Sequence, residues 1–196
     1  MEIDMKRALE KIKKKLSGRK GFSLGELLAA TAILLLASQV LAQGVTFAAR
    51  MYDKSLTGSH AKQLCSSLTA VIETELRYTT GITYDENTGQ LLTYFSREYG
   101  QSDSSFISID SDENEVAKGE IAIRITDGES GKKSYQKLMS STSYSSYDLQ
   151  AGVDNVTYDA EKNLFSVTLT IYEKNGEQYL QSTFEVIPIN SLKINE

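Results

Sequence analysis

The run RKGFSLGELLAATAILLLASQVLAQGVTFAAR, Arg19–Arg50, decides how the rest of the chain is read. Leu27–Ala49 holds 23 residues with no charge and no proline. At 1.5 Å per residue a helix of that length reaches about 34 Å, enough for a hydrocarbon core of about 30 Å. A helix also satisfies its own backbone groups where no water can. The first half, LLAATAILLLA (27–37), is strongly apolar; the second, SQVLAQGVTFAA (38–49), mixes small and polar residues. Residues 1–21 carry eight basic and three acidic side chains, a net +5. A basic block ahead of an apolar run keeps its end in the cytoplasm.

The chemistry at the junction is specific. Arg19-Lys20-Gly21-Phe22-Ser23-Leu24-Gly25-Glu26 precedes the apolar run. This constellation resembles the signal of type IV prepilins, pseudopilins and competence pseudopilins. The resemblance implies that a prepilin peptidase cuts after Gly21, that Phe22 becomes an N-methylated N-terminus, and that Glu26 is the acidic residue fifth in the mature chain. A carboxylate at the edge of an apolar helix costs about 2.5–3.5 kcal/mol on insertion scales. Cleavage would expose a cationic amine on Phe22, and Glu26 could pair with that amine on a neighbouring subunit, neutralising both charges on assembly. The blander role for Glu26 is an interfacial residue at headgroup level. The competing reading of the whole segment is an ordinary export signal cut after Val40-Leu41-Ala42, with a mature start at Gln43. That reading leaves the Gly-Phe and Glu spacing to coincidence, and the helical pattern runs on past Ala42. Gly25 stands where the family often has a large aliphatic residue, and Gln43-Gly44 where many members have proline. Both departures suit a minor pilin or pseudopilin better than a major, fibre-forming one.

Beyond Arg50 the pattern turns amphipathic. Leu64, Cys65, Leu68, Val71, Ile72 and Leu76 recur at three- and four-residue spacings, which marks one helical face. Gly58 is a weak point in this stretch, and Gly81 is a helix stop. From residue 90 onward short alternating segments predict strands at Leu91–Phe95, Phe106–Ile109, Glu120–Thr126 and Ser134–Leu138. Val153–Tyr158, Leu164–Tyr172 and Gln178–Ile187 follow as an antiparallel meander, with Asn175-Gly176 as the last hairpin turn. This ending resembles the J-type minor pseudopilins of type II secretion and their Gram-positive relatives. Ser96–Ser105 and the Ser/Tyr-rich Ser140–Asp148 are expected to be polar loops.

The expected fold is therefore α+β: a long N-terminal helix, membrane-spanning in its first half, packed against an antiparallel sheet. The organisation is 1–21 leader, 22–50 transmembrane and assembly half of the helix, 51–81 amphipathic half, and 82–196 exported β-rich domain. Residues 22–196 hold 13 basic and 23 acidic side chains, a net −10. Bulk charge of that sign repels nucleic acid. The lone Cys65 makes no internal disulfide, and with His60 as the single imidazole a Cys/His zinc site is not expected. Asp110, Asp112 and Asn114 open like a calcium loop. Glu115 then replaces the turn glycine, and Ile121 stands where the closing Glu belongs. No phosphate loop or dinucleotide fingerprint is present, and nothing beside His60 suggests a catalytic triad. We expect no cofactor, no metal and no enzymatic activity. The family resemblance implies a structural, assembly-competent subunit with prepilin peptidase, other pilins, an inner-membrane platform and membrane lipid as partners. The alternative is an exported or membrane-tethered binding module with no pilus role.

Overall fold

The computed structural model describes residues 23–98, 102–107 and 116–194. The α+β expectation holds. A 54-residue helix, α1 (Leu24–Arg77), is followed by β1 (Gly81–Tyr84), β2 (Leu91–Phe95), β3 (Asp103–Ile107), β4 (Ala122–Thr126) and β5 (Lys133–Lys137). Then come a short helix α2 (Ser141–Ser145) and β6 (Leu149–Asp159), β7 (Leu164–Glu173), β8 (Gln178–Val186) and β9 (Lys193–Ile194). The chain divides into two compact units, Met1–Asp53 and Lys54–Glu196.

The strands form two sheets instead of the one expected. The larger has the order β5-β4-β3-β2-β1-β9, and the smaller is the meander β6-β7-β8. All pairings are antiparallel except β1 with β9, where Gly81 pairs Lys193 in parallel. A bridge between Gln90 and Thr157 and the Tyr158 N–H donating to Gly89 O (2.7 Å) join the two sheets. In the smaller sheet the alternation reads directly as burial: Phe165, Val167, Leu169 and Ile171 are buried, opposite Ser166 and Thr168. Its hairpin turns at Asn175-Gly176, with Gly176 at φ 86° and the Glu177 N–H donating to Asn175 Oδ1 at 2.9 Å. That positive φ is the reason glycine is needed there.

One core unites both sheets with the second half of α1. Ala61, Leu64, Cys65, Leu68, Ile72 and Leu76 form the buried helix stripe. They cluster with Ile82 and Tyr94 of the larger sheet, the inward residues of β7, and Val186. Val71, expected in this stripe, is only half-buried. Ile121 and Ile123 are buried and Ile125 packs beside them, as their alternation required.

The helix ends at Arg77, earlier than the expected Gly81. The carbonyls at its end and in the turn just after it find partners near the C-terminus: Ile189 N–H donates to Arg77 O (2.9 Å), and Asn190 Nδ2 donates to Tyr78 O (3.1 Å) and Thr79 O (3.2 Å). A helix end buried in a core needs such partners. Thr79 is itself buried and donates through Oγ1 to Phe95 O at 2.8 Å, which turns the chain into β1. Gly81 is a close-approach glycine, since a Cβ there would lie 2.7 Å from the Phe95 ring and 3.1 Å from Lys193 O. Gly58 is likewise no weak point. A Cβ would lie 2.8 Å from the Tyr179 hydroxyl, which donates to Lys54 O at 3.5 Å, so the missing side chain lets β8 approach the helix backbone.

Two stretches read as polar loops carry structure. Ser96 is buried and its Oγ donates to Glu75 Oε2 at 2.8 Å, and Asp103–Ser105 already belong to β3. Within Ser140–Asp148, Tyr144 is buried in the core and its hydroxyl accepts the Ile121 N–H at 3.4 Å. Burial pushes the Tyr144 phenol up to about 12.

Candidate functional site

The sequence directs attention to the start of α1. Ser23 immediately precedes the helix, and its carbonyl accepts the Leu27 N–H at 3.1 Å. The Glu26 N–H donates to Ser23 Oγ at 3.2 Å. In return Glu26 Oε2 accepts the Ser23 N–H (2.9 Å) and the Ser23 hydroxyl (3.1 Å). This is a reciprocal capping box, in which Ser and a Glu three residues on each satisfy an otherwise orphaned backbone N–H. The spacing Ser23-x-x-Glu26 is itself the sequence signal for this cap. Among the described residues Glu26 Oε1 has no protein partner. Gly21 and Phe22, the expected cleavage and methylation positions, lie outside the described residues.

From Leu24 to Asp53 every side chain of the helix is exposed. They include Leu27, Leu28, Ile33, Leu34, Leu35, Leu36, Val40, Leu41, Val45 and Phe47. α1 is long and apolar enough to cross a membrane; its most apolar window has a mean hydropathy of 1.9 and is buried nowhere within the protein. Side-chain polarity is offset in place: the hydroxyls of Thr31, Ser38 and Thr46 donate to Leu28 O, Leu35 O and Ala42 O at 2.8–2.9 Å. Such back-bonding lets polar residues sit in an apolar helix without an unpaired donor.

The other residues singled out by the sequence fall elsewhere. Cys65 is buried on the core face of α1, and burial pushes its thiol up. His60 stacks on Tyr147 with ring centroids 3.6 Å apart and planes 17° from parallel. Nothing in the sequence pattern linked those two residues, which lie on α1 and just after α2. Asp110, Asp112, Asn114 and Glu115 lie outside the described residues. Among the described residues no group of three or more His, Cys, Asp or Glu could hold a metal ion.

Compared with protein-family models, curated proteins and solved structures, the chain matches none of them.

Proposed function

We propose that this chain is a structural, minor subunit of a type IV pilus-like, secretion or competence pseudopilus assembly, made as a prepilin and held in the membrane before assembly. One observation carries the reading. The first half of α1 is apolar and exposed on every side, whereas the second half of the same helix is buried in its own domain. Apolar surface of that extent needs lipid or other helices around it. On this reading the N-terminus begins in the cytoplasm, the unit from Lys54 onward is exported, and the partners are a prepilin peptidase, fellow pilins and an inner-membrane platform. Its role is mechanical, not enzymatic.

Glu26 fits the reading in a more particular way. Oε2 serves its own helix cap, and Oε1, without a partner among the described residues, could accept from an outside donor such as the Phe22 amine of a neighbouring subunit. Capping and pairing are thus compatible on one carboxylate, which has about four lone-pair sites.

The deciding experiment is the mass of the mature N-terminal peptide after co-expression with a prepilin peptidase. We expect a start at N-methylated Phe22, lost in Gly21→Trp. A start at Gln43 would instead favour the exported binding module. With processing established, Glu26→Gln should keep cleavage and membrane insertion but lower recovery in sheared filaments or in crosslinks to partner pilins. Unchanged recovery would remove the amine-pairing role.

A further inference from the structure

A cleft of about 220 Å³ opens between α1 and the segment around α2, wholly within the unit that begins at Lys54. Its helix wall is His60, Gln63, Leu64 and Ser67; the opposite wall is Met139, Thr142, Ser143, Ser146 and Tyr147. No lining residue is Asp, Glu, Lys or Arg. A cationic ligand would find no carboxylate there to offset its desolvation, and His60 is the one lining side chain that could take up a proton beside an anionic one.

The polar groups that remain are hydroxyls, an amide and an imidazole. Among the described residues the Gln63 amide and the Ser67 hydroxyl have no protein partner. Across the cleft, Ser140 Oγ lies 2.9 Å from Thr142 Oγ1 and 3.0 Å from Ser143 Oγ, while Ser146 Oγ donates to Thr142 O at 2.7 Å. Each hydroxyl has one donor and two acceptor positions, and either partner of the Ser140 pairs can be the donor, so the cluster leaves capacity for a guest. Leu64 and Met139 add apolar surface. His60 and Tyr147 spend one face each on their mutual 3.6 Å stack, which bars a flat base from being sandwiched between them.

The geometry points to a binding site for a small neutral polyhydroxylated ligand, a single sugar unit free or at the end of a glycan, on the exported domain. Paired donor–acceptor hydroxyls on the sugar match Gln63, Ser67, Thr142 and Ser143, and its C–H face matches Leu64 and Met139. The inference concerns the exported domain alone and stands whether or not the chain assembles into a filament.

The test uses the full chain in a detergent without a sugar headgroup and saturation-transfer NMR. The probes are D-glucose, D-galactose and N-acetyl-D-glucosamine, with D-glucuronate as the charged control and N-acetylglycinamide as the amide control. At least one neutral sugar should bind with Kd on the order of 1 mM, several-fold tighter than glucuronate. The double variant Gln63→Ala, Ser67→Ala should weaken binding about tenfold, as expected for two lost hydrogen bonds, with an unchanged thermal melt. The single variant Ser67→Leu, which fills the cleft from the same wall, should abolish it. No transfer to any neutral sugar at about 50 mM overturns the proposal. So does equal binding of glucuronate, preference for the amide probe, or binding unaffected by either variant.

Discussion

Removing the second half of α1 should unfold the β-rich unit, whereas removing the first half should not. Leu64, Leu68, Ile72 and Leu76 are each 4 % exposed or less. Burying one such side chain contributes about 1.5–3 kcal/mol, so the four contribute about 6–12 kcal/mol. Compact denatured chains already hide part of that surface, which favours the lower half of the range. Even so, the loss rivals a whole domain's stability of about 5–15 kcal/mol. It would also uncover the apolar face of β7. A chain starting at Lys54 should therefore run as a monomer in size exclusion and unfold cooperatively in urea. The signal can be near-UV tyrosine dichroism, since the protein has 11 Tyr and no Trp. A chain starting at Gly81 should aggregate or lack a cooperative transition. Leu68→Ala in the longer version should lower stability by about 2–5 kcal/mol, separating the packing contribution from gross truncation. If the chain starting at Gly81 melts with the same midpoint and slope as the one starting at Lys54, the helix stripe is not part of the core.

Burial, with the Glu98 charge nearby, raises the Glu75 carboxyl above its usual range although Ser96 donates to it. The folded state then holds that proton more tightly than the unfolded state, so this group's contribution falls as pH rises from the ordinary carboxylate range through the raised value. Glu75→Gln keeps an acceptor for Ser96 and should flatten that slope and raise Tm at pH 7, read by thermal melts between pH 4 and pH 7; a lower Tm at pH 7 would contradict the assigned cause. Tyr144→Phe removes the acceptor of the buried Ile121 N–H and should cost about 1 kcal/mol in urea unfolding, the low end for an orphaned donor because the bond is 3.4 Å long. Cys65, buried and with its thiol pushed up, should react with a thiol reagent only as fast as the domain opens, so labelling should accelerate sharply across the urea transition.

Much of this architecture is legible in the sequence where burial and periodicity coincide. β7 and β8 read clearly because Phe165-x-Val167-x-Leu169-x-Ile171 alternates without interruption and an Asn-Gly turn follows. The α1 stripe reads clearly for the same reason at helical spacing. The misreadings share a different cause: tertiary contacts assigned roles that residue type alone conceals. β3 begins at Asp103 because Ser104 is small enough to be buried against Tyr94 and Ile125. β1 was hidden because Gly81 resembles a helix stop, yet its lack of a side chain serves a close contact with Phe95. β9 is two residues long and exists through its parallel pairing to β1. α2 hides in a Ser/Tyr run whose one core contributor, Tyr144, carries a polar handle that satisfies a backbone donor. At the candidate assembly site the apolar run and Glu26 were plain. The cap on Glu26 is equally legible, since Ser23-x-x-Glu26 is a capping-box spacing.

The helix glycines divide along the same line as the two halves of α1. Gly58 has an internal explanation, the approach of Tyr179. Gly44 has none: nothing lies within 4 Å of where its Cβ would be. Glycine inside a helix costs roughly 0.5–1 kcal/mol relative to alanine. Among the described residues no contact offsets that cost at Gly44. In an apolar environment small residues let helix backbones approach closely, and packing replaces the hydrophobic effect as the source of association. Gly44 thus joins the surrounding exposed leucines and Glu26 Oε1, which has no partner among the described residues, as features of α1 without an explanation inside the described chain. Neighbouring helices lying against the first half of α1, as in the proposed assembly, would account for all three.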